Sequence, residues 1–379
     1  MKFPPRVESA EGRGRSLPQP AAGSRAGWAR RFLPPSGLWI LATALLMGPG
    51  LSGCAGEGLR LNEPEELDGP GEPLPPGEHE VRVRHDGMDR YALVRVPPAA
   101  EDSDASLPLV LAFHGGSGNA DQFRRTNGLD HLAVSEGFIL VHPQGIGLLD
   151  ARIGRLGTWN VGFCCGRAGD LEVDDVGFVG RLLDELEGRA PVDRSRVFAT
   201  GHSNGGMLSF RLAERIPERI RGIAPVGGAA LPEDPLTRPV PLLQIHSRDD
   251  PRALYEGGLG PPFPLTGRRV DHPSVPQVLD RWLQANECPG DPVELETRTA
   301  PAPDAAGLPD APDHGAVLMD WPGCPEAHPV RHWRLAGAGH GWPGDVVPTS
   351  LSDIMGPPST VIHAATEIWE FFRELATEP

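Results

Sequence analysis

The sequence predicts an α/β domain with a mainly parallel central sheet and helices on both faces. Three observations predict it. Apolar, β-prone runs at 109–113, 138–142, 197–200, 220–226 and 241–246 recur between helix-compatible stretches. These runs are continuous rather than alternating, as strands buried on both faces are. Strands that alternate with helices in this way build a layered parallel sheet. The chain has 379 residues, 39% of them hydrophobic, enough for one large or two ordinary domains.

A net charge of −16 argues against nucleic acid or an acidic membrane surface as the partner. The 48 Gly and 43 Pro follow no repeat period, so neither collagen nor a solenoid fits.

Residues 1–36 are rich in Arg, Pro, Gly and Ser. Arg25, Arg30 and Arg31 then precede the apolar run 38–47, which is too short to span a membrane stably. A basic region followed by a short apolar core is the signal-peptide pattern. The run leads to Leu51-Ser52-Gly53-Cys54, which resembles the bacterial lipobox. That resemblance implies lipidation at Cys54. Residues 1–53 are therefore expected to be a lipoprotein signal segment. Residues 54–78, acidic and rich in Pro and Gly, are expected to be a flexible tether, and 79–379 a single domain. The protein is expected to be exported and held to the cell envelope through a lipid anchor only.

Within the domain, 80–84 and 91–97 alternate like antiparallel strands joined near Asp86-Gly87. The strand at 109–113 leads into His114-Gly115-Gly116-Ser117-Gly118. A helix near 128–136 and a strand at 138–142 follow. A Gly-rich loop then carries Thr158-Trp159-Asn160 and Cys164-Cys165-Gly166. Asp174 or Asp175 can cap a helix that runs to Leu186. After the strand ending near Thr200 come a helix at 207–216, strands at 220–226 and 241–246, and a helix at 275–286. Strands at 293–299, 316–321 and 330–335 and a closing helix at 359–375 complete the chain. The Pro/Asp-rich 301–314 reads as a long hairpin loop.

The chemistry centres on Gly201-His202-Ser203-Asn204-Gly205, set between a strand and a helix. A strand, a sharp turn and a helix are the context of a nucleophile elbow, whose turn needs small residues beside the Ser. A Ser hydroxyl is a poor nucleophile until a base takes its proton, and that base needs an acid to orient it. The strand at 241–246 ends in Ser247-Arg248-Asp249-Asp250-Pro251, so Asp250 is the expected acid and Asp249 the alternative. His340, in the Gly-rich loop 337–344 after the last strand, is the expected base. Such a loop is expected to be mobile enough to bring Nε2 to Ser203 and Nδ1–H to Asp250. The oxyanion donors are expected to be the N–H groups of Asn204 and Gly116, with Ser117 the second choice to Gly116. Trp159 and Trp342 are candidates to line a substrate cleft, with packing as the other reading.

These residues resemble the extracellular esterase family of poly(3-hydroxybutyrate) depolymerases and feruloyl or acetylxylan esterases, carbohydrate esterase family one. The similarity covers roughly 80–375. It rests on the His114 turn, His142-Pro143-Gln144-Gly145, Thr158-Trp159-Asn160, Cys164-Cys165-Gly166, Val173 to Phe178, the elbow, Asp250-Pro251, Tyr255-Glu256-Gly257-Gly258, the His340 loop and Ile368 to Phe372. The resemblance implies an α/β-hydrolase fold, a triad of Ser203, Asp250 and His340, and Trp159 near the acyl or sugar site. Two departures stand out: Ser247-Arg248 where small residues are expected, and a Pro-rich insertion at 259–273.

Besides Cys54, the cysteines are Cys164, Cys165, Cys288 and Cys324. An even number in an exported protein reads as disulfides. Cys288 ends a helix and Cys324 follows a strand, which favours that pair and leaves a vicinal Cys164–Cys165 bridge. No metal or organic cofactor is expected. The sequence thus predicts a serine esterase, and the family resemblance implies a hydroxyalkanoate oligomer or a plant-wall ester as its substrate. Carried beside it are a surface lipoprotein that only binds a sugar or partner, and a peptidase of the same fold.

Overall fold

A computed structural model describes residues 71–102, 104, 106–147, 156–263, 267–300, 314–344 and 354–377. They fall within one compact unit, Glu66–Pro379. The expected signal segment, Cys54, the tether up to residue 70 and the stretch 301–313 lie outside the described residues.

Strands β1 (Gly77–His85) and β2 (Met88–Val96) form an antiparallel hairpin. Asp86 and Gly87 connect them at φ 48° and 73°. Two left-handed residues in a row match the twist of a tight hairpin, and Asp-Gly is among the pairs that adopt them readily.

Then come β3 (Leu107–Phe113), α1 (Ala120–Thr126), α2 (Leu129–Glu136), β4 (Ile139–Pro143), α3 (Gly166–Asp170) and α4 (Asp175–Glu187). Next are β5 (Val192–His202), α5 (Asn204–Arg215), β6 (Gly222–Val226) and β7 (Leu242–Ser247). The short pair β8 (Gly258–Leu259) and β9 (Asp271–His272) brackets the Pro-rich insertion. The chain closes with α6 (Val275–Ala285), β10 (Val293–Ala300), β11 (His314–Asp320), β12 (Val330–Ala336) and α7 (Ala364–Thr377).

The described strands form a ten-stranded sheet in the order β1-β2-β4-β3-β5-β6-β7-β12-β11-β10. From β4 to β12 every neighbour is parallel, and the hairpins at the two ends are antiparallel. Alternate residues of β3 face opposite layers: Leu109, Leu111 and Phe113 join one core, Val110 and Ala112 the other. Helices α4, α5 and α6 supply the first core through Phe178, Leu182, Leu208, Leu212 and Trp282. Helices α1, α2 and α7 supply the second through Phe123, Leu129, Ile368 and Phe372. Loops at the carboxyl ends of such a parallel sheet are where an open α/β fold binds ligands.

Three kinds of local expectation change. Helices α1 and α3 are additions; the Asn119 side chain caps α1 by accepting the Gln122 N–H. The closing helix starts at Ala364 rather than 359. Its first N–H is held by the Pro343 carbonyl, and Ser359 O is engaged by Gly344 N–H, so 359–363 serve as an anchor for the preceding loop. The helix expected from 207 starts at Asn204, because the turn feeds it directly.

Candidate active site

Ser203 stands between β5 and α5 at φ 54°, ψ −119°, outside the regions that L-residues prefer. Its N–H donates to Val226 O at 2.8 Å, and its carbonyl accepts the Met207 N–H at 2.9 Å. A Cβ on Gly201 would lie 2.6 Å from the Gly205 carbonyl carbon and 2.7 Å from Phe113 O. One on Gly205 would run into the carbonyl oxygens of Phe113 and His114. Both flanking positions therefore exclude side chains on steric grounds alone.

His340 Nε2 is 2.8 Å from Ser203 Oγ, and His340 Nδ1 is 2.7 Å from Asp250 Oδ2. Asp250 is buried, 4% exposed. Its other oxygen accepts the N–H groups of Arg252 and Ala253 at 2.7 and 2.9 Å. Burial pushes its pKa up, but His340 and these donors outweigh burial and bring it down to about 2. The carboxylate is thus ionised throughout the neutral range. Behind it, His246 Nε2 lies 3.5 Å from Asp250 Oδ2 and donates to Ala253 O at 2.8 Å.

The His340 loop, expected to be mobile, is tied down along its length. Gly337 N–H donates to Asp249 Oδ2 at 2.8 Å, and Ser247 Oγ donates to Ala338 O at 2.5 Å. The N–H groups of Gly339 and His340 donate to Pro357 O and Met355 O. His202 Nε2 donates to His340 O at 2.6 Å. Burial, together with the neighbouring His340, lowers the His202 pKa to about 3, so it acts as a neutral donor. Ser247, an apparent departure from the motif, is one of these anchors. Asp249 is another, which separates its role from that of Asp250.

The turn after β3 packs on the elbow. A Cβ on Gly115 would lie 3.0 Å from His202 Nδ1, and one on Gly116 3.7 Å from Asn204 Cβ. His114 Nε2 accepts the Gly145 N–H at 3.0 Å, so its proton sits on Nδ1, which donates to Gly115 O at 2.9 Å. Burial lowers the His114 pKa to about 4 and keeps it in that neutral form. Gly118 N–H adds a second bond to Gly115 O. In a trans peptide the N–H points opposite to the carbonyl, so fixing Gly115 O fixes the direction of the Gly116 N–H. Ser117 N–H donates to Gly157 O at 2.8 Å, which removes the second choice for this donor.

The cleft-lining role expected of the two tryptophans is corrected. Trp159 is 0% exposed. Its Nε1–H donates to His114 O at 2.9 Å, and its main-chain N–H and O pair with Asn204 Oδ1 and Nδ2 at 2.8 and 3.0 Å. It props the turn from behind. Trp342, 4% exposed, packs edge-on against Phe123 and donates to Asn127 O at 3.1 Å. Neither offers a ring face to a substrate. Cys288 joins Cys324 and Cys164 joins Cys165, the expected pairing, with a cis peptide between the latter two. Sequence reasoning missed His202, Ser247 and Asp249 as supports. Their only signal is adjacency to Ser203 and Asp250.

A family model described as the alpha/beta hydrolase fold matches residues 108–244, the stretch that contains β3, the His114 turn and the elbow. The chain has the α/β-hydrolase fold. This chain is similar in sequence to proteins with esterase names, as its motifs suggested. NocK of Nocardia uniformis subsp. tsuyamanensis, named as an esterase, is 29% identical over 278 residues, 69% of this chain and 73% of that protein. Feruloyl esterase B of Piromyces equi is 27% identical over 52% of this chain, but the match spans only 35% of that relative. Feruloyl esterase C of Emericella nidulans is 26% identical over 75% of this chain and 83% of its own length.

Proposed function

We propose that this α/β-hydrolase is an exported serine carboxylesterase that works through an acyl-enzyme. The observation that carries the reading is the unbroken series Asp250–His340–Ser203, with spacings of 2.7 and 2.8 Å, at the carboxyl rim of the sheet. Ser203 Oγ attacks the ester carbonyl carbon while its proton passes to His340 Nε2. The Nδ1–H stays bonded to Asp250, whose charge stabilises the imidazolium. The N–H groups of Gly116 and Asn204 bind the oxyanion of the tetrahedral intermediate. Collapse breaks the bond to the alcohol, which leaves with the proton from Nε2. Water, deprotonated by the same nitrogen, then releases the acid and restores Ser203.

Relatives named for feruloyl and acetylxylan esters support a plant-wall ester as substrate. The motif resemblance to polyhydroxybutyrate depolymerases supports hydroxyalkanoate oligomers. The two disulfides support an oxidising compartment, and the lipobox-like Leu51 to Cys54 supports anchoring by lipid at Cys54. The test is Ser203→Ala. Turnover of p-nitrophenyl acetate is expected to fall by about 10⁴-fold or more, and retention of turnover would refute the reading. Methyl ferulate, acetylated xylan and hydroxybutyrate oligomers assayed in parallel identify the ester class. Cys54→Ala is expected to move the protein out of the membrane fraction.

A further inference from the structure

A fully buried ion pair lies outside the Asp250–His340–Ser203 series. Arg90 on β2 and Asp175 at the start of α4 have side chains 1% and 0% exposed, and Nη2 lies 2.7 Å from Oδ1. The guanidinium also lies 4.0 Å over the Phe178 ring. A buried ion pair contributes little net stability over apolar packing.

Each partner holds one side of a peptide group whose other side holds part of the site. Arg90 Nη2 donates to Gln144 O at 3.2 Å. The N–H of that same peptide, on Gly145, donates to His114 Nε2 at 3.0 Å. Asp175 Oδ2 accepts the Asn160 N–H at 2.7 Å. The carbonyl of that same peptide, on Trp159, accepts from Asn204 Nδ2 at 3.0 Å. One peptide thus fixes the tautomer and tilt of the imidazole that orients Gly115-Gly116. The other fixes the side chain of the residue after Ser203.

We propose that the Arg90–Asp175 pair is a positioning element for the oxyanion hole, fixing the two peptides that orient His114 and Asn204. Neither residue touches substrate. The inference rests on the esterase reading, because it assigns a role to the Gly116 and Asn204 donors. An unsupported donor pair still lets the ester bind but holds the tetrahedral intermediate less well. The pair should therefore act on kcat and leave KM nearly unchanged.

The test uses Asp175→Leu, which removes the acceptor for the Asn160 N–H, and the double variant Arg90→Met/Asp175→Leu, which removes both charges and should fold even if the single variant does not. With p-nitrophenyl acetate, kcat is expected to fall by about 10- to 100-fold, with KM within about twofold. Affinity for an aryl trifluoromethyl ketone, which forms the oxyanion, should fall in parallel. Hydrogen exchange measured on the resting protein should speed up at 113–118 and 157–160 but not in α7. Unchanged kcat with a lowered Tm would overturn the proposal, as would unchanged exchange in those two segments. If the wild-type protein hydrolyses no ester in a Ser203-dependent way, the esterase reading fails by itself, and the exchange data still decide whether the pair holds the two loops.

Discussion

Asp250 and Asp249 are chain neighbours with separate tasks: Asp250 Oδ2 meets His340 Nδ1 at 2.7 Å, whereas Asp249 Oδ2 accepts the Gly337 N–H at 2.8 Å. One carboxylate faces the imidazole, and the other ties down the base of the loop that carries it. Asp250→Asn is expected to lower kcat by about 10³- to 10⁴-fold, because an amide in place of the carboxylate favours the wrong tautomer of His340. Asp249→Asn can still accept the Gly337 N–H, so its kcat should stay within about tenfold of wild type. Equal losses in the two variants, measured on p-nitrophenyl acetate, would remove the distinction.

The triad candidates are legible in the sequence because each sits on a local signal. Ser203 is framed by glycines that the turn requires, Asp250 follows a strand and precedes Pro251, and His340 follows the last strand. Continuous apolar runs make the central strands legible for the same local reason, since burial on both faces leaves no polar alternation. The supports are different. For Trp159 the sequence leaves cleft lining and packing both open, because the target of its N–H, His114 O, is 45 positions away in the chain. Ser247 looks like a departure from pattern until the Ala338 carbonyl, 91 residues on, is seen to need its hydroxyl. Helices α1 and α3 escape notice because each is under two turns long and one is rich in Gly.

Trp159 and Trp342, both buried, should respond differently to the same change. Trp159→Phe keeps most of the packing but leaves His114 O without its indole donor, directly behind the Gly115-Gly116 turn. Its kcat is expected to fall by about tenfold or more, with a stability loss of about 1–3 kcal/mol. Trp342→Phe removes a similar bond, to Asn127 O on the α1 side. It should cost comparable stability with kcat within about twofold. Steady-state kinetics beside urea unfolding of both variants separates the cases; a substrate-stacking role for Trp342 would instead raise KM.

Stability should fall as the medium is acidified below neutral. His114, His142 and His332 are 1%, 1% and 2% exposed, and burial lowers their pKa values to about 4, about 3 and about 3. In the unfolded chain each takes a proton near its ordinary 6.5; in the folded chain it does not until the pH is far lower. Below about pH 6.5 the unfolded state therefore binds more protons. Each residue then removes up to about 1.4 kcal/mol of stability per pH unit until its folded value is reached. Asp250, with its pKa lowered to about 2, adds loss of the same sign below the ordinary carboxylate range. Urea unfolding at pH 7.5, 6 and 5 should give falling midpoints, and His142→Gln should make the slope shallower by about one proton. A flat profile across that range would contradict neutral burial of these imidazoles.

The Cys288–Cys324 bridge should matter for stability and not for turnover. It joins the end of α6 to the β11–β12 connection, across 36 positions of sequence. That connection precedes β12, whereas His340 follows β12, so the bridge and the His340 loop lie at opposite ends of the strand. Closing a loop of this length restricts the unfolded chain, which corresponds to about 2–4 kcal/mol of folding stability. Replacing both cysteines by Ser should therefore lower the unfolding free energy by that amount, with kcat and KM on p-nitrophenyl acetate unchanged below the transition. A kinetic change in the folded double variant would mean that α6 and the β11–β12 hairpin help to set the position of His340 through β12. The anchors on residues 337–340 would then be insufficient to hold the base by themselves.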